Sequence, residues 1–235
     1  MDVYSIAGLT VGYDSKYNKL KNRSKTYLAQ EGTVAKYIIR LDYNDLENSL
    51  PQYPLLDIDA LEYMRAGGYF YTALIDNDGF MLHASAVVVD GVAYCFSAPS
   101  GTGKSTHTSL WLDLFADKNA YIINDDKPAI RLVDGVPMVY GTPFSGKHDI
   151  SVNTCVPLKA ICFIERSETN SIQQISPIKS ASLILDQTMR PVDETLMDKL
   201  FQTLEKVVLS VPSYVLSCNI SQEAALIAYN EMSGE

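Results

Sequence analysis

A mixed α/β fold, built on a mixed sheet and preceded by a small β-rich part, is what the sequence predicts. Three features point there. A glycine-rich loop, Ala98 to Thr106, stands between a strand pattern and a helix pattern. Two Asp-Gly pairs, Asp90-Gly91 and Asp134-Gly135, each separate runs of β-branched residues and mark hairpins. Beyond residue 180, apolar positions recur at helical spacing, interrupted by one further strand.

Composition narrows the function classes. The chain has 235 residues, of which 47% are hydrophobic and 20% charged. That is ordinary globular usage and excludes a disordered or coiled-coil chain. The net charge of -9 argues against nucleic acid as a partner, because phosphate neutralisation needs a basic surface. No apolar run approaches the roughly 18 residues that span a bilayer, so no membrane association is expected. The N-terminus lacks the basic and apolar regions of a signal peptide, and a cytoplasmic location is expected. Cys95, Cys155, Cys162 and Cys218 form no C-x-x-C pair and read as buried thiols, not as zinc ligands or disulfides.

Three regions follow in order. Residues 1–56 read as a β-rich subdomain, with strand patterns over Val3–Val11, Thr26–Ala29 and Ala35–Leu41. Within it, Lys16, Lys19, Lys21, Arg23 and Lys25 fit a solvated hairpin, or a docking patch for an acidic substrate segment. Residues 57–79 form a connecting helix, capped by Asp57 or Asp59, weakened at Gly67-Gly68, and ended by Asp76-Asn77-Asp78-Gly79. Residues 80–235 form the domain that carries the chemistry. There Ala86–Val89 pairs with Val92–Phe96 about Asp90-Gly91, and continuing that register sets His83 opposite Ala98. Ala129–Val133 pairs with Val136–Tyr140 about Asp134-Gly135, and Pro137 suggests an edge strand. Leu158–Ile164 is a strand, 180–188 and 193–209 are helices, Tyr214–Cys218 is a strand, and Ser221 caps a last helix.

The loop Ala98-Pro99-Ser100-Gly101-Thr102-Gly103-Lys104-Ser105-Thr106 has phosphate-binding spacing. Glycines let backbone amides turn inward around phosphate oxygens, and the following helix N-terminus adds positive partial charge. Ser100, Gly101, Thr102, Gly103, Lys104, Ser105 and Thr106 are the expected nucleotide contacts. Lys104 would reach the terminal phosphates and Ser105 a magnesium ion.

Such a loop needs a metal-organising carboxylate at a neighbouring strand end. Tyr121–Ile123 runs into Asn124-Asp125-Asp126, and the helix between makes a βαβ unit with the loop strand. A polar turn with an Asx bond would use the same residues. The hairpin register brings His83 to the loop mouth, where it can orient Asp125 or ease its proton traffic. Gly141-Thr142-Pro143-Phe144-Ser145-Gly146-Lys147-His148 is a candidate acceptor loop, with Lys147 a candidate contact. Arg131, Arg166 and Arg190 are candidates for a second phosphate-contacting cation, Arg190 because it ends a helix pattern. His107 and Trp111 at i, i+4 read as packing.

Taken together, Leu82-His83, Val87–Gly91, Ser100–Ser105 and Asn124–Asp126 resemble the catalytic domain of HPr kinase/phosphorylase. That family shares its fold with ATP-dependent phosphoenolpyruvate carboxykinase. The resemblance implies a carboxykinase-like P-loop kinase domain and ATP with Mg²⁺ as cofactors. It assigns Asp125 as catalytic base with His83 its partner and Asp126 as metal ligand. Bifunctional members carry an R-G-x-G segment where this chain reads Tyr140-Gly141-Thr142-Pro143-Phe144. The nearest likeness is therefore to short HPr-kinase-like proteins, some of which phosphorylate serine as a free amino acid or in modified peptides. The function so implied is phosphoryl transfer from ATP to a hydroxyl acceptor, be it a small molecule, peptide or protein. The alternative is a nucleotide-binding regulator or weak ATPase without an acceptor. A homo-oligomer stands as an open expectation.

Overall fold

A computed structural model describes residues 1–234. Strands β1 (Asp2–Ile6) and β2 (Leu9–Tyr13) form an antiparallel hairpin about Ala7-Gly8, both in the left-handed region. The expected strand Val3–Val11 is thus two strands around a tight turn. The charge run expected as a hairpin is instead helix α1 (Asn18–Arg23). Its cause lies far off in sequence. The fully buried Glu62 accepts from the amide of Lys16 at 2.7 Å and that of Tyr17 at 3.2 Å. Asp59 accepts from the amide of Lys19 at 2.7 Å. The amides of Tyr17, the N-cap, and Lys19 are ones that a helix start leaves unpaired, and the Lys16 bond fixes the chain entering it.

Thr26–Ala29, expected as a strand, holds a short 3₁₀ turn over Lys25–Tyr27. The two-residue β3 (Tyr37–Ile38) runs parallel to β2. Helix α2 (Tyr43–Ser49), capped by Asp42, precedes α3 (Ile58–Ile75), capped by Asp57. Helix α3 passes unbroken through Gly67-Gly68. A Cβ on Gly67 would lie 3.1 Å from the Phe144 ring, so that glycine makes room for packing.

The main sheet comprises β4 (Gly79–Met81), β5 (Ala84–Val89), β6 (Val92–Ser97), β7 (Tyr121–Asn124), β8 (Ala129–Val133), β9 (Val136–Tyr140), β10 (Cys155–Arg166), β11 (Ser171–Ile175) and β12 (Ser213–Cys218). Helix α4 (Lys104–Leu114) follows β6; α5 (Pro177–Asp186) and α6 (Glu194–Ser210) precede β12, and α7 (Gln222–Ser233) ends the chain. The spatial order is β4-β8-β9-β10-β6-β5-β7, with β12 pairing β10 and β11. This is a mixed α/β fold with a small N-terminal sheet.

Both Asp-Gly hairpins keep the expected register. Val89 meets Val92 and Ala84 meets Ser97; Val133 meets Val136 and Ala129 meets Tyr140. All four turn residues have positive φ. Two expectations fail here. The βαβ unit does not join neighbours: β5 lies between β6 and β7, antiparallel to both. Strand β9 is not an edge, because β10 pairs its residues Met138–Tyr140. Pro137 lies just past the last of those pairs, where its missing donor leaves that ladder intact.

Strand β10 is the pivot. Its first residues pair β9 antiparallel; its later ones run parallel to β6 and to β12. Apolar residues cover both sheet faces, as two-sided burial requires. Ala86 and Val88 join Ile184, Leu200 and Leu204 on one face, while Val87 and Val89 join Trp111 and Tyr229 on the other. A third cluster ties the N-terminal part to α3 and to Phe144.

Candidate active site

The loop after β6 turns on Gly101 (φ 80°) and Gly103 (φ 122°). Helix α4 starts at Lys104 with no side-chain cap, which leaves its first amides free for an anion. The Lys104 ammonium is nearly buried. It donates to the Ala98 carbonyl at 2.8 Å and lies 3.1 Å from His83 Nε2. Burial draws its pKa below the ordinary lysine value, with the Asp126 charge working the other way. Of the three candidate arginines, Arg166 reaches the loop: its guanidinium donates to the carbonyls of Gly101 and Thr102. Arg131 instead fastens Asn77 and Ala7 through their carbonyls. Arg190 is exposed and lines neither cavity described below.

Asn124, fully buried, shapes the acidic turn. Its Oδ1 accepts from the amides of Asp126 (3.0 Å) and Lys127 (2.7 Å), and its amide group donates to the Thr142 carbonyl. An Asx turn is therefore present together with the two carboxylates, and it sends them apart. Asp125 Oδ1 accepts from the Gly146 amide at 2.6 Å. Burial, the largest influence, raises its pKa above the ordinary value against the pull of that bond. Asp126 lies 3.3 Å from His83 Nε2 and 3.2 Å from Lys127 Nζ. Burial works to raise it too, but His83 and Lys127 outweigh burial and hold it at about 2.

His83 was expected beside Asp125; its carboxylate partner is Asp126. The reason is backbone placement. The Ala84 amide donates to the Asp126 carbonyl at 3.0 Å, which sets His83 next to Asp126, and adjacent side chains of an extended segment diverge. The other face of the ring is fixed by Gln187, whose side-chain oxygen is 3.0 Å from Nδ1 and whose carbonyl accepts from the His83 amide. His107 is buried and accepts from Trp111 Nε1 at 3.1 Å. Burial lowers its pKa to about 4, so it is a neutral packing residue.

Within the 141–148 segment the roles divide. Thr142 and Phe144 are buried and structural. Gly146 approaches Asp125 so closely that a Cβ there would sit 2.9 Å from Oδ2. Lys147 is exposed on the cavity wall. A cavity of about 590 Å³ gathers Lys104, Ser105, Asp125, Asp126, His83 and Lys147, with Ser100, Gly101, Gly103 and Thr106 of the loop. Lys19 and Arg23, from the charge run that fits a solvated hairpin or a docking patch, also line it, with Tyr63 and Lys127, which sequence reasoning does not single out. Tyr63 comes from α3 and has no local signal, whereas Lys127 stands next to the aspartates. A second cleft of about 450 Å³ opens on the loop's other side, between Thr102, Leu110, Ile164, Arg166 and Ile220. Thr102 of the expected contacts lines this cleft and not the first. Among the described residues no helix is long and apolar enough to cross a membrane.

Fold and site define an α/β protein in which a glycine-rich loop and two divergent aspartates line one cavity. The chain belongs to the family described as SynChlorMet cassette protein ScmC, whose model matches residues 56–224. No curated protein matches it. Among solved structures it has a distant likeness of fold to the Hpr(Ser) kinase/phosphatase from Coxiella burnetii. The two are 11% identical over 66% of this chain and 97% of that one, with a TM-score of 0.39.

Proposed function

We propose that the protein is a Mg-ATP-dependent phosphotransferase acting on a hydroxyl acceptor, such as serine free, in a peptide or in a protein. The observation that carries this reading is the placement of the two aspartates, Asp126 beside His83 and Lys127 and Asp125 on the Gly146 amide. One is held ionised and the other is raised by burial, and both line the same cavity as Lys104. Groups whose environments push their pKa values apart suit separate tasks. A cation ligand has to stay charged, which suits Asp126. A proton acceptor works best nearer the operating pH, which suits Asp125.

Magnesium needs only one or two carboxylates beside phosphate oxygens and water. Asp126 and the Ser105 hydroxyl fit it and would hold it. When bound, it would neutralise charge on the phosphates. Lys104 exchanges the Ala98 carbonyl for a phosphate oxygen, a stronger charge-assisted partner. Asp125, held by the Gly146 amide, takes the acceptor's proton. His83, fixed by Gln187, keeps Asp126 in place. The second cleft, with Leu110, Ile164 and Ile220 on its walls, has room for a nucleoside.

Incubation with γ-labelled ATP, Mg²⁺ and a panel of hydroxyl acceptors, beginning with serine and Ser-ending peptides, tests the reading. Label is expected on an acceptor and not in free phosphate alone. Steady ATP hydrolysis that no acceptor changes would mark a weak ATPase, and absence of nucleotide binding would end the proposal.

A further inference from the structure

The cavity holds five cations, Lys19, Arg23, Lys104, Lys127 and Lys147, against two carboxylates, in a chain of net charge -9. Three of the five have work already. Lys104 sits on the loop, and Lys127 is paired with Asp126. Arg23 is tied into the wall. It donates to the carbonyls of Ser145 (2.6 Å) and Gly146 (2.8 Å) and pairs with Asp149 at 3.2 Å. Lys19 and Lys147 remain. Among the described residues neither has a carboxylate partner, and Lys147 is exposed.

Lys19 is built into place. Its amide is bound by Asp59, the segment before it by Glu62, and its ammonium stands 4.9 Å from the centre of the Tyr63 ring. Tyr63 is itself bonded to Arg23 and to the Ser145 carbonyl. So α1, α3 and the 145–148 segment form one wall, and on it Lys19 and Lys147, neither in an ion pair among the described residues, line the cavity that Asp125 also lines. Lysines without an ion-pair partner on a cavity wall favour an anionic ligand there.

We infer that the acceptor carries a carboxylate beside its hydroxyl, and that Lys19 and Lys147 bind it; this rests on the phosphotransferase reading. The carboxylate can belong to a small hydroxy acid or to an acidic residue flanking a serine in a peptide, since the two ammonium groups see the same chemistry. No charge is transferred in this contact. The lysines orient the acceptor so that its hydroxyl meets Asp125, and the phosphoryl step is unchanged.

Two matched pairs test the inference with labelled Mg-ATP: glycerate against glycerol, and a Ser peptide with flanking Asp residues against its Asn counterpart. The charged member is expected to be favoured about tenfold or more in kcat/KM, the factor that ~1.4 kcal/mol represents. The pair that shows the preference identifies the source. In the Lys19→Gln/Lys147→Gln variant that ratio should fall towards one through a higher acceptor KM, with the KM for Mg-ATP unchanged; Lys19→Arg should retain it. Equal use of both members, an unaltered ratio in the double variant, or a rise in the KM for Mg-ATP would overturn the inference.

If no acceptor is labelled, malonate binding decides, followed by ligand-observed NMR with a non-hydrolysable Mg-ATP analogue present. Wild type should bind malonate about tenfold tighter than the double variant. Lys19-dependent malonate binding without transfer would sink the phosphotransferase and leave the anion site standing. No binding, or equal binding to the double variant, would sink the anion site.

Discussion

Asp125 and Asp126 are adjacent in sequence and opposite in electrostatics, which makes them separable by substitution. Asp126→Asn should weaken Mg²⁺-dependent nucleotide binding. Asp125→Asn should spare that binding and lower turnover by about 10²–10⁴, the range for a lost general base. Stability separates them too. The Asp126 carboxylate falls from its ordinary 3.8 to about 2 on folding, so its contribution is present above pH ~4 and is lost as pH falls towards 2. Asp125 is raised, so its contribution is full below the ordinary value and is lost as pH rises through the folded value. Asp125→Asn should therefore raise Tm at pH 7 and give no gain at pH 3, in thermal unfolding followed by circular dichroism. Lys104→Ala should abolish the thermal shift given by Mg-ATP. In wild type, ligand at about 100 times its Kd adds roughly 2.7 kcal/mol, and an equal shift in the variant would remove Lys104 from the nucleotide site.

Among the elements, the 141–150 segment decides whether Asp125 is aimed. Gly146→Ala puts a methyl 2.9 Å from one carboxylate oxygen and 3.1 Å from the other. It should lower phosphoryl transfer by about tenfold or more, with nucleotide binding and Tm nearly kept, because small misplacements of a reacting group are costly. A Tm loss of many degrees would instead make Gly146 a folding residue. Gly141 is such a residue already: a Cβ there would lie 1.9 Å from the Val152 carbonyl oxygen. The loop, the acidic turn and both hairpins were legible in sequence, because local chemistry fixes them: glycines at positive φ, Asp-Gly turns, an apolar strand before a polar end. Helix α1 was not, since the carboxylates that start it belong to α3, about 40 residues on. The hairpin register was legible as far as Ala84 opposite Ser97, whereas the aspartate that meets His83 was not, because the backbone bond from Ala84 to Asp126 decides it. Arg23 belongs to a charge run that fits a solvated face or a docking patch alike, and only the fold brings it to the Gly146 carbonyl.

For the whole molecule, the N-terminal part is joined to the rest by a shared apolar cluster. Tyr4, Ile6, Val11 and Leu20 pack with Phe70, Ala129 and Phe144. A fragment of residues 57–235 would expose α3 and the Phe144 cluster. It is expected to aggregate or to lose its cooperative transition in urea, whereas the full chain should unfold in one step with coincident fluorescence and circular dichroism. A stable, nucleotide-binding fragment would show the N-terminal part to be an accessory. The pivot strand β10 has a further consequence for the order of events during synthesis. Chain growth delivers the Arg23 wall first and the glycine-rich loop next, but the loop strand β6 has no partner on its β10 side until residues 158–163 have been made. The Arg166 clamp comes at the same strand's end, and β12, which shields β10's far side, comes only at 213–218. A nascent chain stalled before residue 158 would therefore show ribosome-bound hairpins and an unsupported loop. Nucleotide should begin to protect such stalled chains from protease only once β10 has cleared the exit tunnel.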